Sequence, residues 1–251
     1  MDRLKRLGDI LQAFDAYDVF EYYKLNGASA LQFLIIDLGF VTNELNFDLD
    51  TNLDIKKVNE LRNIVNRELP KILQQKNFSL DVKHTQLTGR IDSYAIIDNT
   101  TKQEYKLNFN YLNRVHVLNT EYFARKDNQF EDLHIYALST LENYAKFFVE
   151  VIEGKPFISV LDHVILSNKI MPQQYPFIKK MVLFYIAISD MKQQINLDLM
   201  PLKLKTLLNF NEDDLLFLDK VNQGVLDIPM ILPPTMASKL EHHPKVKLMR
   251  K

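Results

Sequence analysis

The chain has 251 residues, 47% of them hydrophobic and 25% charged, which is ordinary globular composition and long enough for one large or two modest domains with real cores. A formal net charge of -1 excludes a global basic field of the kind that draws nucleic acid. The absence of cysteine excludes disulfides, thiolate zinc sites and thiol nucleophiles, and fits a reducing cytoplasm.

In chain order, apolar residues at Ile10, Leu11, Phe14, Tyr17, Val19 and Phe20 predict a helix over 9–23. Acidic residues interrupt the apolar run behind Lys5 and Arg6, so no signal peptide is expected. A small-residue turn, Gly27-Ala28-Ser29, leads into a short apolar helix over 30–38 with Gly39 placed to end it. A strand then alternates from Glu44 to Asp50, with Glu44, Asn46, Asp48 and Asp50 on one face and Leu45, Phe47 and Leu49 toward a core. Residues 54–75 read as a long amphipathic helix that Pro70 should kink or end. Strand-like runs follow at 80–85, 94–98, 105–111 and 115–118.

From Ser139 the pattern changes to helices over 141–152, 158–166, 175–193, 202–208 and 212–223. The expected organisation is therefore an α/β (α+β) domain with a mixed sheet over 1–135 and an α-helical bundle over 136–251, ending in a basic tail at 239–251. The most apolar run, 181–189, is far shorter than the roughly 20 residues a bilayer span needs. No membrane association is expected.

The acidic strand carries the chemistry. Mg²⁺ takes oxygen ligands, commonly one or two carboxylates plus nucleotide phosphates. A Gly-Ala-Ser turn lets backbone N–H groups and a hydroxyl approach a phosphate. Together they point to nucleotidyl or phosphoryl transfer, against the plainer reading of an edge strand with a solvated polar face. An EF-hand is excluded, because Leu53 stands where the calcium loop needs glycine and Asn59 where it needs glutamate. His242-His243 lacks a third clustered ligand for zinc, and Asp162-His163 cannot form a triad, since helix neighbours diverge by about 100°.

At these residues the chain resembles the AbiEii-type abortive-infection toxins, nucleotidyltransferases of the polymerase-β-like superfamily. Leu25, Gly27, Ser29, Ala30, Leu31, Thr42, Leu45 and Phe47 fit the family pattern. Ala28 replaces its second glycine, Phe40 its arginine, and its two metal-binding aspartates fall on Glu44 and Asn46. A third carboxylate from a later strand falls on Asn108. Downstream, Lys146 in Leu-Glu-Asn-Tyr-Ala-Lys matches a triphosphate-contacting lysine, and Asp162 the second aspartate of an Arg-Asp-x-x-Asp motif.

The resemblance implies a nucleotidyltransferase-like fold and a nucleoside triphosphate bound at Gly27, Ala28, Ser29 and Lys146. It implies Mg²⁺ on Glu44, Asn46 and Asn108, with Asp48 on the same strand face as a further ligand, with Glu44, Asn46 and Asp162 at the chemistry, and an RNA or protein acceptor or an antitoxin partner. Two amides at metal positions favour a rival: a decayed fold that binds nucleotide, RNA or a partner protein without chemistry. A third reading is a structural interaction protein whose helical half carries the function.

Overall fold

The computed structural model describes residues 3–35, 41–49, 53–111, 116–167, 170–188, 200–223, 236 and 238. The chain divides into two compact units, 1–139 and 140–251. Residue 136, where the sequence places the change of domain, lies inside a strand; the unit ends after Ser139 because that strand belongs to the sheet.

In the first unit α1 (Arg3–Phe14) is followed by a 3-10 turn at Asp18–Tyr22 and β1 (Tyr23–Leu25), so the single helix expected over 9–23 is three elements. Next come α2 (Gly27–Leu34), β2 (Glu44–Leu49), α3 (Ile55–Gln75), β3 (Phe78–Leu87), β4 (Ile91–Asp98), β5 (Glu104–Asn110), β6 (Glu121–Arg125) and β7 (Leu133–Ala137). The strands form one mixed sheet in the order β3-β4-β5-β2-β1-β7-β6. Neighbours are antiparallel except β2/β5 and β1/β7, which are parallel.

Three further expectations are corrected. The long helix α3 runs through Pro70 to Gln75, because Leu69, Ile72 and Leu73 around the proline are fully buried and hold the last turns to the core. Residues 116–118 form no strand, and Val115 lies outside the described residues. Strands β6 and β7 were not anticipated: β6 is a solvated edge strand without apolar alternation, and β7 is only five residues long.

Alternation on β2 sends Leu45, Phe47 and Leu49 into the core with Leu107 and Phe109 of β5. Phe47 and Phe109 are register partners whose rings stack at 5.0 Å between centroids. Burying each such side chain contributes about 1.5–3 kcal/mol. A one-residue slip would turn all of them to the opposite face. The apolar face therefore fixes which polar residues meet on the other one.

Helix α1 packs tightly at Gly8, where an added Cβ would lie 2.1 Å from the Phe130 ring. That ring sits in the β6–β7 loop, whose turn is held by Asp127 accepting from the Gln129 and Phe130 N–H groups. Gly8→Ala should therefore destabilise the unit by about 1–3 kcal/mol, as over-packing does, measured as a lower urea midpoint. Full stability of Gly8→Ala would mean that the ring turns aside without cost.

The second unit is helical throughout its described elements: α4 (Thr140–Ile152), α5 (Ile158–Leu166), α6 (Tyr175–Ile188), α7 (Leu202–Leu208) and α8 (Glu212–Asn222). Residues 189–193 of the expected 175–193 helix and the basic tail at 239–251 lie outside the described residues. Among the described residues no helix is long and apolar enough to cross a membrane.

Candidate functional site

The site is built where α2 meets β2 and β2 meets β5. Gly27 opens α2 at φ +58°, a left-handed conformation that glycine adopts without the Cβ penalty. The helix therefore begins at the small residues themselves and not at Ala30; residues 36–38 of the expected helix, and Gly39 placed to end it, lie outside the described residues. Gly27, Ala28 and Ser29 are all buried. The Ser29 hydroxyl donates to the Asn26 carbonyl at 2.7 Å and accepts from the Asn46 backbone N–H at 2.9 Å. It ties the first helical turn to the middle of β2.

Parallel pairing of β2 with β5 sets Glu44 opposite Lys106, Asn46 opposite Asn108, and Asp48 opposite Asn110. Antiparallel pairing adds Ser93 of β4 beside Asn108 and Lys24 of β1 beside Asp48. Of the four residues read from the sequence as metal positions, Glu44, Asn46 and Asn108 are thus brought together. Asn108 Nδ2 donates to Asn46 Oδ1 at 2.8 Å and approaches Glu44 Oε2 at 3.4 Å, while Ser93 Oγ donates to Asn108 Oδ1 at 2.6 Å.

Asp48 differs from the other two strand positions. Glu44 and Asn46 are half-buried, but Asp48 is buried and lies across from the equally buried Lys24, an opposite-charge cross-strand pair. Asp50 and Phe40 lie outside the described residues.

This donor set does not fit Mg²⁺. An NH₂ group is aimed at the oxygens that would have to face the cation, and Glu44 is the one carboxylate among the three clustered residues. Two carboxylates in place of the amides would repel each other without a cation between them, whereas an amide nitrogen donates to both neighbours and closes the network unaided. Among the described residues no group of three or more His, Cys, Asp or Glu is placed to hold a metal.

On the opposite face α3 is keyed to the sheet. Arg62 donates to both oxygens of the fully buried Asp92, at 2.5 and 3.1 Å, and Asp92 also accepts from the Gly89 N–H at 3.0 Å. Hydrogen bonding to Asp92 raises the Arg62 pKa against the opposing effect of burial. Burial pushes the nearby phenols of Tyr23, Tyr94 and Tyr111 upward, so they stay protonated.

Lys146 and Asp162 belong to the second unit. Lys146 is buried on α4, with its ammonium 4.8 Å from the Tyr185 ring centroid, and the Tyr185 hydroxyl donates to the buried Glu142. It is not a surface cation. Asp162 is exposed on α5 and pairs with Lys203 of α7. Ser93, Lys106 and Lys24 escaped the sequence reading. Their positions follow from strand register between distant segments, which leaves no local mark on the chain.

No protein-family model matches the chain, and no curated protein matches it. Among solved structures it is similar to the crystal structure of JHP933 from Helicobacter pylori, at 12% identity over 98% of this chain and 96% of that one. The TM-score is 0.32, too low for the likeness to carry a fold assignment.

Proposed function

We propose that the first unit is a nucleotidyltransferase-type module, similar to that of the AbiEii-type toxins, in which an amide network stands in place of the metal centre. On this reading the module acts by binding nucleotide, RNA or a partner protein, not by transferring a nucleotide. The observation that carries the reading is the hydrogen bond from Asn108 Nδ2 to Asn46 Oδ1, with Glu44 beside it. Two-metal transfer needs anionic oxygens that hold cations against the attacking and leaving groups. A neutral, self-satisfied pair offers none of that charge.

The reading gives Lys146 and Asp162 no chemical step, takes residues 140–251 as an accompanying helical bundle, and places the chain in the cytoplasm. A protein scaffold in which Ser29 joins α2 to β2 is kept whole without a metal. Such a scaffold suits recognition.

The test is titration calorimetry with each nucleoside triphosphate, in Mg²⁺, in Mn²⁺ and in chelator, alongside RNA labelling from a radiolabelled triphosphate. The expected result is binding without labelling. Robust metal-dependent labelling that Glu44→Ala abolishes would establish the enzyme instead.

A further inference from the structure

Strand β3 lies at one edge of the seven-stranded sheet, and among the described residues no strand pairs with its outer side. Most of its ten residues are exposed. A long exposed edge presents a row of unpaired N–H and C=O groups to a second chain. The pairing of β3 with β4 breaks at one place. Asp81 lies opposite Ala95 and Gln86 opposite Ser93, so the four residues 82–85 stand against Tyr94 alone, three more than the ladder needs.

Without Lys83, His84 and Thr85 the strand would read Phe78-Ser79-Leu80-Asp81-Val82-Gln86-Leu87, apolar and polar in strict alternation. Phe78, Leu80, Val82 and Leu87 would then face Asp98, Ile96, Tyr94 and Asp92, which are the buried positions of β4. That is the period of an ordinary half-buried strand. With the three residues present, Val82 is 76% exposed.

The inserted segment has its own hydrogen bonds. Asp81 Oδ1 accepts from the Lys83 N–H at 3.0 Å and from the His84 N–H at 3.4 Å, and Asp81 Oδ2 meets His84 Nδ1 at 2.7 Å. The Thr85 hydroxyl donates to the Asp81 carbonyl at 2.7 Å and accepts from the Ala95 N–H at 3.2 Å, in place of the ladder bond that the break removes. Two amides of the edge are thereby taken by a side chain of the same strand. Lys83 and His84 are both exposed. A bulge interrupts and twists an edge, and a lysine on it adds a charge that an incoming strand would have to bury.

We infer that Lys83, His84 and Thr85 guard the β3 edge, and keep the sheet from pairing edge to edge with β3 of a second copy of this chain. The guard acts away from the amide network and does not depend on what that network binds.

The test is the mass of the full chain by light scattering on a sizing column, with circular dichroism to show folding. Wild type is compared with a variant lacking Lys83, His84 and Thr85, and with a second lacking Val82, Lys83 and His84, which leaves Thr85 opposite Tyr94 in case the first does not fold. A folded deletion is expected at about twice the wild-type mass, as a twofold pairing of edges gives. Gln86→Lys in that deletion should restore the wild-type mass, because it returns a charge to the edge. A folded deletion that keeps the wild-type mass would overturn the inference. Association that Gln86→Lys leaves unchanged would overturn it too, by placing the contact elsewhere. Failure of both deletions to fold would do the same, since the insertion would then serve the folding of the unit and not the guarding of its edge.

Discussion

Arg6→Ala is expected to destabilise the first unit by about 3–5 kcal/mol, because it strands a buried carboxylate. Arg6 donates from Nε and Nη2 to the two oxygens of Asp98, at 2.8 and 3.1 Å, and from Nη2 to the Lys76 carbonyl at 3.0 Å. Its guanidinium also lies 4.2 Å from the Phe78 ring centroid. One side chain thereby joins α1 to the end of α3 and to β3 and β4. Asp98 is fully buried; without Arg6 it would retain the Thr100 N–H and the Thr101 hydroxyl and no countercharge from this pair.

The same pair sets an acid limb. Burial pushes the Asp98 carboxyl upward, but hydrogen bonds from Arg6, Thr100 and Thr101 outweigh it and hold the group at about 2. A depressed folded-state pKa means that the stabilisation is complete above the unfolded value near 4 and is lost as pH falls through about 2. The difference corresponds to about 2.5 kcal/mol. In Arg6→Ala the burial effect is freed, Asp98 protonates more readily, and the deficit should be smaller at pH 3 than at pH 7. Urea midpoints of both proteins at the two pH values measure this. An equal deficit at both would place the loss in packing, not in the ion pair.

Much of the architecture was legible because it is written in local periodicity. The alternation from Glu44 to Leu49 marked a strand with one apolar face, and the helical spacing beyond Ser139 marked the helices of the second unit. What escaped was set by partners distant in sequence. Lys146 matches a triphosphate-contacting lysine by resemblance, yet α4 is buried from Glu142 to Val151 and the ammonium rests on Tyr185. Asp48 reads as a third ligand by period two, yet it is buried across from Lys24. Pro70 reads as a kink or an end of the helix, and the helix does not end there, because the buried residues around it outweigh one missing hydrogen bond. The pairing of Asn46 with Asn108 was suggested by family resemblance alone, since parallel register between β2 and β5 is fixed by the Phe47–Phe109 stack and not by either strand's own sequence.

That pairing gives the second large effect. Asn108→Asp should lower stability by about 2 kcal/mol at pH 8 in chelator, a drop in melting temperature of about 4–8 °C. The substitution removes the N–H donor that joins Asn46 Oδ1 to Glu44 Oε2 and sets a second carboxylate beside Glu44. Two like charges about 4 Å apart repel by roughly 1–4 kcal/mol between aqueous and surface dielectrics. The pair would titrate together with its upper pKa raised, so the loss is present while both carboxylates are ionised and is relieved as pH falls and one protonates. Mn²⁺ should relieve it too, because the variant turns two carboxylates and the Asn46 carbonyl oxygen toward one point. Wild type should gain nothing from Mn²⁺, since its own amide nitrogen already occupies that role. The measurement is thermal unfolding of both proteins at pH 5 and pH 8, with Mn²⁺ and with chelator. A variant as stable as wild type at pH 8 in chelator, or a wild type stabilised by Mn²⁺ as strongly as the variant, would show that Asn108 does not hold this site together.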